Sequence, residues 1–302
     1  MTPPNVVNVV GGLGNQLFQF LFGIALEQET GRQTVYDVSD FERYRLHEGL
    51  AIETYFSVLL DRAEPADLAN ASWLTRGYNR KRVVSKLAPY LGSLSPVLTD
   101  ETWSLTDRHD RGPRYFRGYW QAQPYTSRAL EEVRRRLRFQ PALMESAEKS
   151  LIALGVERGS CAAIQVRRGD FLTAPKKSPH YGLPLGYFYS AMGAMNARLG
   201  VRKFYVFSDD VEGLKADFRS DFEVVYVDAA VSTSAGMDLC LMSAFPNLIM
   251  SNSTFGWWAA ALRSDPSGTV YAPAQWLNPG YPNQSLSPIL LPGWEALEVV
   301  NP

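Results

Sequence analysis

The second half of the chain alternates short apolar segments with helical ones, and this alternation constrains the fold more than any other feature. Strands are predicted at 162–166, 203–207, 223–227, 247–250 and 269–272. Helices are predicted between them at 185–198, 211–217, 236–244 and 254–263. Strand–helix alternation of this kind predicts a parallel, doubly wound sheet.

Polar clusters come directly after three of these predicted strands. Ligands of doubly wound sheets bind beyond the carboxyl ends of the strands, so we expect a binding site where these clusters lie. The clusters are Arg167, Arg168, Gly169 and Asp170; Ser208, Asp209 and Asp210; and Asn252, Ser253 and Thr254.

The first half opens with a strand predicted at 5–10, a glycine turn and a helix predicted at 15–29, which Gly31 is placed to end. A second strand is predicted at 33–38, and a long helical stretch at 126–154. Residues 155–159 are rich in glycine and predict the crossing between two domains.

The glycine turn, GGLGNQLFQ at 11–19, suits an anionic ligand because glycines allow close approach and a helix N-terminus favours negative charge. Gly12 and Gly14 begin a dinucleotide-type pattern, but Leu17 stands where its third glycine belongs. Asp37 occupies about the position of a ribose-binding acid. An NAD(P)-dependent oxidoreductase is therefore one alternative, and a plain tight turn is another.

The arginines of IQVRRGDF at 164–171 are suited to phosphate oxygens, since the guanidinium fork matches their geometry and keeps its charge. A surface pair of arginine and aspartate is the alternative.

The segment SNSTFGWWAAAL at 251–262 offers a second phosphate clamp or an ordinary helix cap. Asp209 and Asp210 are able to bind a ribose or a base, or to cap the helix that follows. A metal site is a further alternative, although two adjacent carboxylates alone do not supply enough ligands for it.

Composition excludes several classes of protein. A net charge of −1 gives no general attraction for nucleic acid. The two cysteines and three histidines form neither a disulfide framework nor a zinc site, so we expect buried, reduced thiols and no metal. The start of the chain has neither a signal peptide nor a membrane-spanning segment, which favours the cytoplasm.

Two basic stretches, 76–86 and 128–138, are typical of solvated helix faces. The alternative is a peripheral contact with an anionic membrane or with a lipid-linked acceptor.

Taken together, the motifs resemble those of the family 11 glycosyltransferases, the α-1,2-fucosyltransferase family, in the same order and over nearly the whole chain. They are GGLGNQLFQ (11–19), YFRGYWQAQPY (115–125), VRRGDF (166–171), HYG (180–182), FSDD (207–210), MDLCLMSAFPNLIMSNSTFGWWAAAL (237–262) and YAPAQW (271–276).

The resemblance implies a GT-B-like α/β fold of two facing Rossmann-like domains with parallel sheets. Residues 1–155 would form the acceptor-side domain and residues 156–302 the GDP-sugar-binding domain. The implied reaction is an inverting transfer of L-fucose from GDP-fucose to a galactose hydroxyl, without a metal, giving an α-1,2 linkage. Gln165 stands where the family motif usually has histidine, which leaves a non-catalytic glycan-binding or sugar-nucleotide-binding homologue as a further alternative.

The expected roles follow from charge and from this resemblance. Arg167 would stabilise the β-phosphate as it leaves, and Asp170 would act as the base or orient an arginine. Gln165 would make a neutral contact with the nucleotide. The residues assigned to the GDP-sugar are Gly12, Gly14, Asn15, Gln165, Arg167, Arg168, Asp209, Asp210, Asn252, Ser253 and Thr254.

Overall fold

The structure is a computed structural model that divides into two compact units, Met1–Gln140 and Pro141–Pro302, here called the N-terminal and C-terminal units. It describes residues 2–42, 48–71, 83, 86–87, 97–100, 114–172, 181–278 and 289–299, without the side chains of Asp170 and Leu172.

The N-terminal unit contains a parallel sheet with the strand order β2-β1-β4-β3. Its strands are β1 (Asn5–Asn8), β2 (Thr34–Asp37), β3 (Val97–Leu98) and β4 (Tyr115–Phe116). Its helices are α1 (Leu13–Thr30), α2 (Ala51–Tyr55), α3 (Pro65–Ala71) and α4 (Gln123–Arg136), with a 3-10 turn at Ser39–Glu42.

The first predicted helix is confirmed as α1, and the residue predicted to end it does so. Gly31 follows α1 with a φ of 64°, and its N–H donates to the carbonyl of Glu27. Nearly every residue from Leu13 to Leu26 is buried, because α1 packs between the sheet and α4.

The C-terminal unit contains a parallel sheet with the order β10-β9-β8-β5-β6-β7. Its strands are β5 (Cys161–Val166), β6 (Lys203–Ser208), β7 (Glu223–Val227), β8 (Asn247–Ile249), β9 (Val270–Pro273) and β10 (Trp294–Leu297). Its helices are α5 (Pro141–Ala153), α6 (Gly169–Leu172), α7 (Leu185–Leu199), α8 (Val211–Asp217), α9 (Ala235–Ser243) and α10 (Thr254–Ala261). The predicted strand–helix alternation of this half is confirmed.

The order of the described strands reverses once in the C-terminal sheet. Counted from β5, the C-terminal sheet has the order of the dinucleotide-binding Rossmann fold, and its switch point lies between β5 and β8. In the N-terminal sheet β1 and β4 are the two central strands of the four described, with β2 and β3 outside them. Ligands of such sheets bind at the switch point, beyond the carboxyl ends of the strands.

The stretch 126–154, which was predicted to be helical, contains two helices with an extended segment between them. α4 ends at Arg136, and the chain then runs extended, with Phe139 opposite Phe56 and their rings stacked at 4.6 Å. α5 packs on α9, so the division between the units falls after Gln140 and not at the predicted 155–159.

Both cysteines are buried free thiols, as predicted. Burial raises the pKa of the Cys161 thiol from 9.0 to about 11, and that of Cys240 likewise to about 11.

Candidate active site

The switch point of the C-terminal sheet is closed by a buried hydrogen-bonded pair. Gln165, 5% exposed near the end of β5, accepts a hydrogen bond at its Oε1 from the Ser251 hydroxyl at 2.6 Å. The Ser251 N–H lies 3.3 Å from the same oxygen. Gly256 of α10 makes this packing possible, since a Cβ there would lie 2.6 Å from Gln165 Oε1. The pair ties β5 to the loop after β8.

Arg167 follows β5 and is oriented by an acid that follows the neighbouring strand. Its Nη1 lies 3.1 Å from Asp209 Oδ2, and its guanidinium carbon lies 5.4 Å from the centre of the Phe171 ring. The side chain is 28% exposed, so the cation stays accessible at the carboxyl edge of the sheet. An accessible guanidinium held by a carboxylate and a ring is pre-organised for an anion.

Asp209 also holds the backbone that follows the arginines. Its Oδ1 accepts from the N–H of Arg168 at 2.8 Å and from that of Gly169 at 3.2 Å. One carboxylate therefore orients Arg167 and fixes the start of α6.

Arg168 and Asp210 have mainly protein partners. Arg168 donates to Asp217 at 2.5 Å, and its Nε lies 3.6 Å from Asp210 Oδ2. Asp210 is the N-cap of α8, accepting from the Gly213 N–H at 3.1 Å. The capping alternative is therefore correct for Asp210, and Arg168 supports the loop more than it faces a ligand.

The loop after β8 is ordered by side chains that were predicted to bind the ligand. Ser253 caps α10 by accepting from the Phe255 N–H at 3.3 Å. Asn252 is 4% exposed, and its amide donates at 3.1 Å to the carbonyls of both Tyr181 and Trp276. Both side chains hold the loop in place, while Thr254 opens α10 next to them.

The glycine turn lies in the N-terminal unit. Gly12 precedes α1, Gly14 lies in its first turn, and Asn15 accepts from the Gln121 amide at 3.1 Å. Asp37 is 3% exposed and accepts from the Tyr115 hydroxyl at 2.6 Å and from the Ser39 hydroxyl at 2.7 Å. Protein partners occupy its oxygens, which counts against a ribose-binding role.

Among the described residues, no group of three or more histidine, cysteine, aspartate or glutamate side chains could hold a metal ion. Within the same part of the chain, no helix is long and apolar enough to cross a membrane.

The basic stretch 128–138 is ion-paired: Arg134 with Glu131, Arg135 and Arg136 with Glu132, and Arg128 with Glu29. Most of the stretch 76–86, and His180 of the HYG motif, lie outside the described residues.

The model of the family described as Glycosyl transferase family 11 matches residues 96–298, which is most of the chain. The chain belongs to glycosyl transferase family 11. It is 26% identical over 280 residues to an alpha-1,2-colitosyltransferase from Escherichia coli, covering 90% of this chain and 91% of that protein. It is 24% identical over 270 residues to galactoside alpha-(1,2)-fucosyltransferase 2 from Gorilla gorilla gorilla, covering 88% of this chain and 70% of that protein.

Among solved structures, this family 11 chain is similar to the fucosyltransferase NodZ from Bradyrhizobium, with a TM-score of 0.54 at 14% identity. The match covers 86% of this chain and 92% of NodZ. This likeness shows the fold, and the predicted α/β class of GT-B type with parallel sheets is confirmed.

Three residues of the site were missed from the sequence. Ser251 was inside a recognised motif but carried no charge to single it out, and Phe171 read as an apolar residue after the arginines. Asp217 pairs with Arg168 from the end of α8, 49 positions away along the chain, and no local pattern could reveal that contact.

Proposed function

We propose that this chain transfers L-fucose from GDP-fucose to a galactose hydroxyl of a glycan, giving an α-1,2 linkage. The supporting observation is the accessible Arg167 guanidinium at the β5–β8 switch point, held by Asp209. Family membership and the names of the two relatives, one an α-1,2-colitosyltransferase and one a galactoside α-1,2-fucosyltransferase, support the reaction type and the linkage.

The chemistry we propose is a single displacement with inversion. The acceptor hydroxyl attacks the anomeric carbon while the bond from that carbon to the β-phosphate oxygen breaks. Negative charge then grows on the phosphate, where a fixed cation lowers the barrier most. Arg167 supplies that cation, and the N-terminus of α10 contributes a second positive pole. Asp170 is the proposed base or an orienting group for the arginines.

The remaining donor contacts belong to the same proposal. Gln165 has an amide group that donates to no acceptor among the described residues, and this group is available to the nucleotide. Asp209 and the loop of Asn252, Ser253 and Thr254 shape the phosphate side. The donor contacts predicted for Gly12, Gly14 and Asn15, which lie in the N-terminal unit, stay predictions. We assign the acceptor to the N-terminal unit and GDP-fucose to the C-terminal unit.

Neither a metal nor another cofactor takes part in this proposal, because the arginines and the helix terminus supply the positive charge. We also propose a cytoplasmic location, with the acceptor reached on a lipid carrier by peripheral contact at most. The paired arginines of α4 do not call for a strong electrostatic attachment to an anionic surface.

The first test is donor selection. Purified protein is incubated with GDP, GDP-fucose, GDP-colitose or NAD(P), and the melting temperature and GDP release are measured. We expect stabilisation by the GDP compounds only, and acceptor-dependent GDP release with GDP-fucose. Faster release with GDP-colitose would assign the sugar of the Escherichia coli relative instead. Stabilisation without any turnover would identify a non-catalytic binding homologue, and stabilisation by NAD(P) would contradict the proposal.

A further inference from the structure

A second built loop lies at the carboxyl ends of β1 and β4, the two central strands of the N-terminal sheet. The N-terminal part of α1 and the loop after β4 meet there, and side chains join them. Gln121 donates to Asn15 Oδ1 at 3.1 Å, and Gln19 of α1 donates to the Gly118 carbonyl at 3.0 Å. The segment 117–121 therefore lies at the carboxyl edge of a parallel sheet, the edge at which α/β proteins bind their ligands.

Asp100 fixes the backbone of this segment from the other side. Its Oδ2 accepts from the Tyr119 N–H at 2.8 Å and from the Trp120 N–H at 3.3 Å. Gly118 lets the carboxylate approach, since a Cβ at that position would lie 2.7 Å from Asp100 Cγ. Side chains from α1 and from the loop after β3 thus hold one short stretch of backbone.

Trp120 locks the segment into a conformation that is rare for a bulky residue. Its φ is 57°, and among the described residues it is the only one other than glycine with a positive φ. The indole is fully buried and stacks on Phe22 with 3.9 Å between ring centroids. Strained backbone of this kind persists only where the surroundings hold it, and it concentrates at functional sites.

The residue presented by this rigid segment is Tyr119, whose side chain is 48% exposed although both its neighbours are held in place. A fixed, accessible aromatic ring gives a flat apolar surface that can pack on the C–H face of a sugar ring. The exposed carboxylate of Asp100 beside it can accept hydrogen bonds from sugar hydroxyls. We infer that Tyr119 is the platform on which the terminal sugar of the acceptor stacks, with Asp100 as its positioning residue.

The negative charge beside Tyr119 distinguishes this site from the proposed site for the GDP-sugar. A GDP-sugar brings a diphosphate, which the exposed carboxylate of Asp100 would repel, whereas a neutral pyranose suits a ring beside an acid. The nearby guanidinium of Arg117 lies 3.2 Å from Asp40 Oδ2 and is 19% exposed, so a carboxylate largely balances it. The inference rests on the proposed function, because it names the residue that binds the acceptor of that reaction.

The experiment compares the wild-type chain with Tyr119→Ala, Tyr119→Phe and Leu59→Ala. Leu59 is the matched control, a large apolar side chain of the same unit that is 85% exposed. For each protein the KM for a β-galactoside acceptor, the KM for GDP-fucose and the melting-temperature shift with GDP are measured.

Truncating a central aromatic contact typically weakens binding by about 5- to 30-fold. We expect the acceptor KM of Tyr119→Ala to rise by about that factor, with an unchanged GDP shift, while Tyr119→Phe keeps most of the affinity because the ring remains. An unchanged acceptor KM in Tyr119→Ala, or an equal rise in Leu59→Ala, would overturn the inference. A wild-type chain that binds no GDP and turns over no GDP-sugar would instead overturn the proposed function.

Discussion

Gln165 and Ser251 are joined across the switch point of the C-terminal sheet, where the Ser251 hydroxyl donates to Gln165 Oε1 at 2.6 Å. Gln165 belongs to β5 and Ser251 to the loop after β8. These two strands are adjacent in the sheet, while the two residues lie 86 positions apart along the chain. Because the acceptor oxygen of Gln165 is used inside the protein, only its amide N–H groups remain for a ligand. Gln165 therefore links β5 to the loop after β8, and its amide is the group that the proposed function assigns to the nucleotide.

The first prediction concerns this link. Gln165→Ala leaves the buried N–H and hydroxyl of Ser251 without their acceptor, so the free energy of unfolding should fall by about 1–3 kcal/mol. In a double-mutant cycle with Ser251→Ala, measured by chemical denaturation, we expect a coupling energy of about 0.5–3 kcal/mol. Ser267→Ala removes an exposed hydroxyl bonded to Asp265 and serves as the control. Additive effects of the two site variants would show that the contact is not energetically important.

The second prediction concerns protonation at position 165. A glutamine amide does not titrate at physiological pH. The rate of the wild-type protein should therefore show no pH dependence that comes from residue 165. We expect Gln165→His to keep kcat within about tenfold, because a neutral imidazole still donates and accepts. Profiles of kcat and of KM for GDP-fucose across pH test this. If kcat of Gln165→His were several hundredfold higher and changed with pH around a pKa of about 6.5, a titrating group at this position would take part in the reaction.

The third prediction concerns Arg167. Loss of a pre-organised donor to developing charge costs about 10²–10³ in kcat. We expect Arg167→Ala to fold and to lose roughly that much, and Arg167→Lys to recover only part of it, because lysine lacks the planar fork. Arg158→Ala is the control, since Arg158 pairs with an exposed glutamate away from the switch point. Normal kinetics for Arg167→Ala would transfer the role to Arg168 or to another site.

The fourth prediction concerns divalent metals. Positive charge for the leaving group is available from Arg167 and the α10 N-terminus, so we expect full activity in excess EDTA. The measurement is initial rate with and without chelator, followed by addition of Mg²⁺ or Mn²⁺. Loss of activity on chelation, restored by one of these ions, would contradict the metal-free mechanism.

The fifth prediction concerns alkaline stability. Burial raises the thiol pKa of Cys161 and Cys240 from 9.0 to about 11, so the folded state holds these protons more tightly than the unfolded state. The stability they contribute is complete below pH 9 and is lost as the pH rises towards 11. Each thiol should lower the free energy of unfolding by up to about 1.4 kcal/mol per pH unit in that window.

Denaturation midpoints measured across this pH window test the alkaline prediction. The variant Cys161→Ala/Cys240→Ala, although less stable at neutral pH, should show a shallower decline. The buried tyrosines Tyr36, Tyr115 and Tyr187, whose pKa values burial also raises, add to the decline at higher pH. Midpoints that do not change between neutral and alkaline pH would contradict the burial of ionisable thiols.

The strand–helix order of β5 to β9 was predictable because these strands are short, largely apolar runs between turn residues, whereas the edge strand β10, with the sequence WEAL, was not predicted. Position at a strand end also placed Arg167 and Asp209 at the carboxyl edge of the sheet. The direction of each side chain was not predictable, since it depends on contacts between distant segments. Asn252 was predicted to bind the nucleotide, yet its amide bonds two carbonyls that arrive from separate loops.

The break between α4 and α5 was missed although Pro141 is a local signal for it. Proline favours the first position of a helix and disfavours helical backbone in the residue before it. The contact of Phe139 with Phe56, which lies 83 positions earlier in the chain, could not be predicted from the local sequence. That tertiary contact joins the extended segment to the N-terminal unit.

Under the proposed function, this family 11 chain forms an α-1,2 linkage between fucose and galactose. The most direct measurement is the structure of the product made from GDP-fucose and a β-galactoside acceptor, with linkage and anomeric configuration determined by NMR. We predict a fucosyl residue in α configuration on the galactose 2-hydroxyl. A product with fucose on another hydroxyl, or acceptor recovered unchanged beside intact GDP-fucose, would contradict the claim.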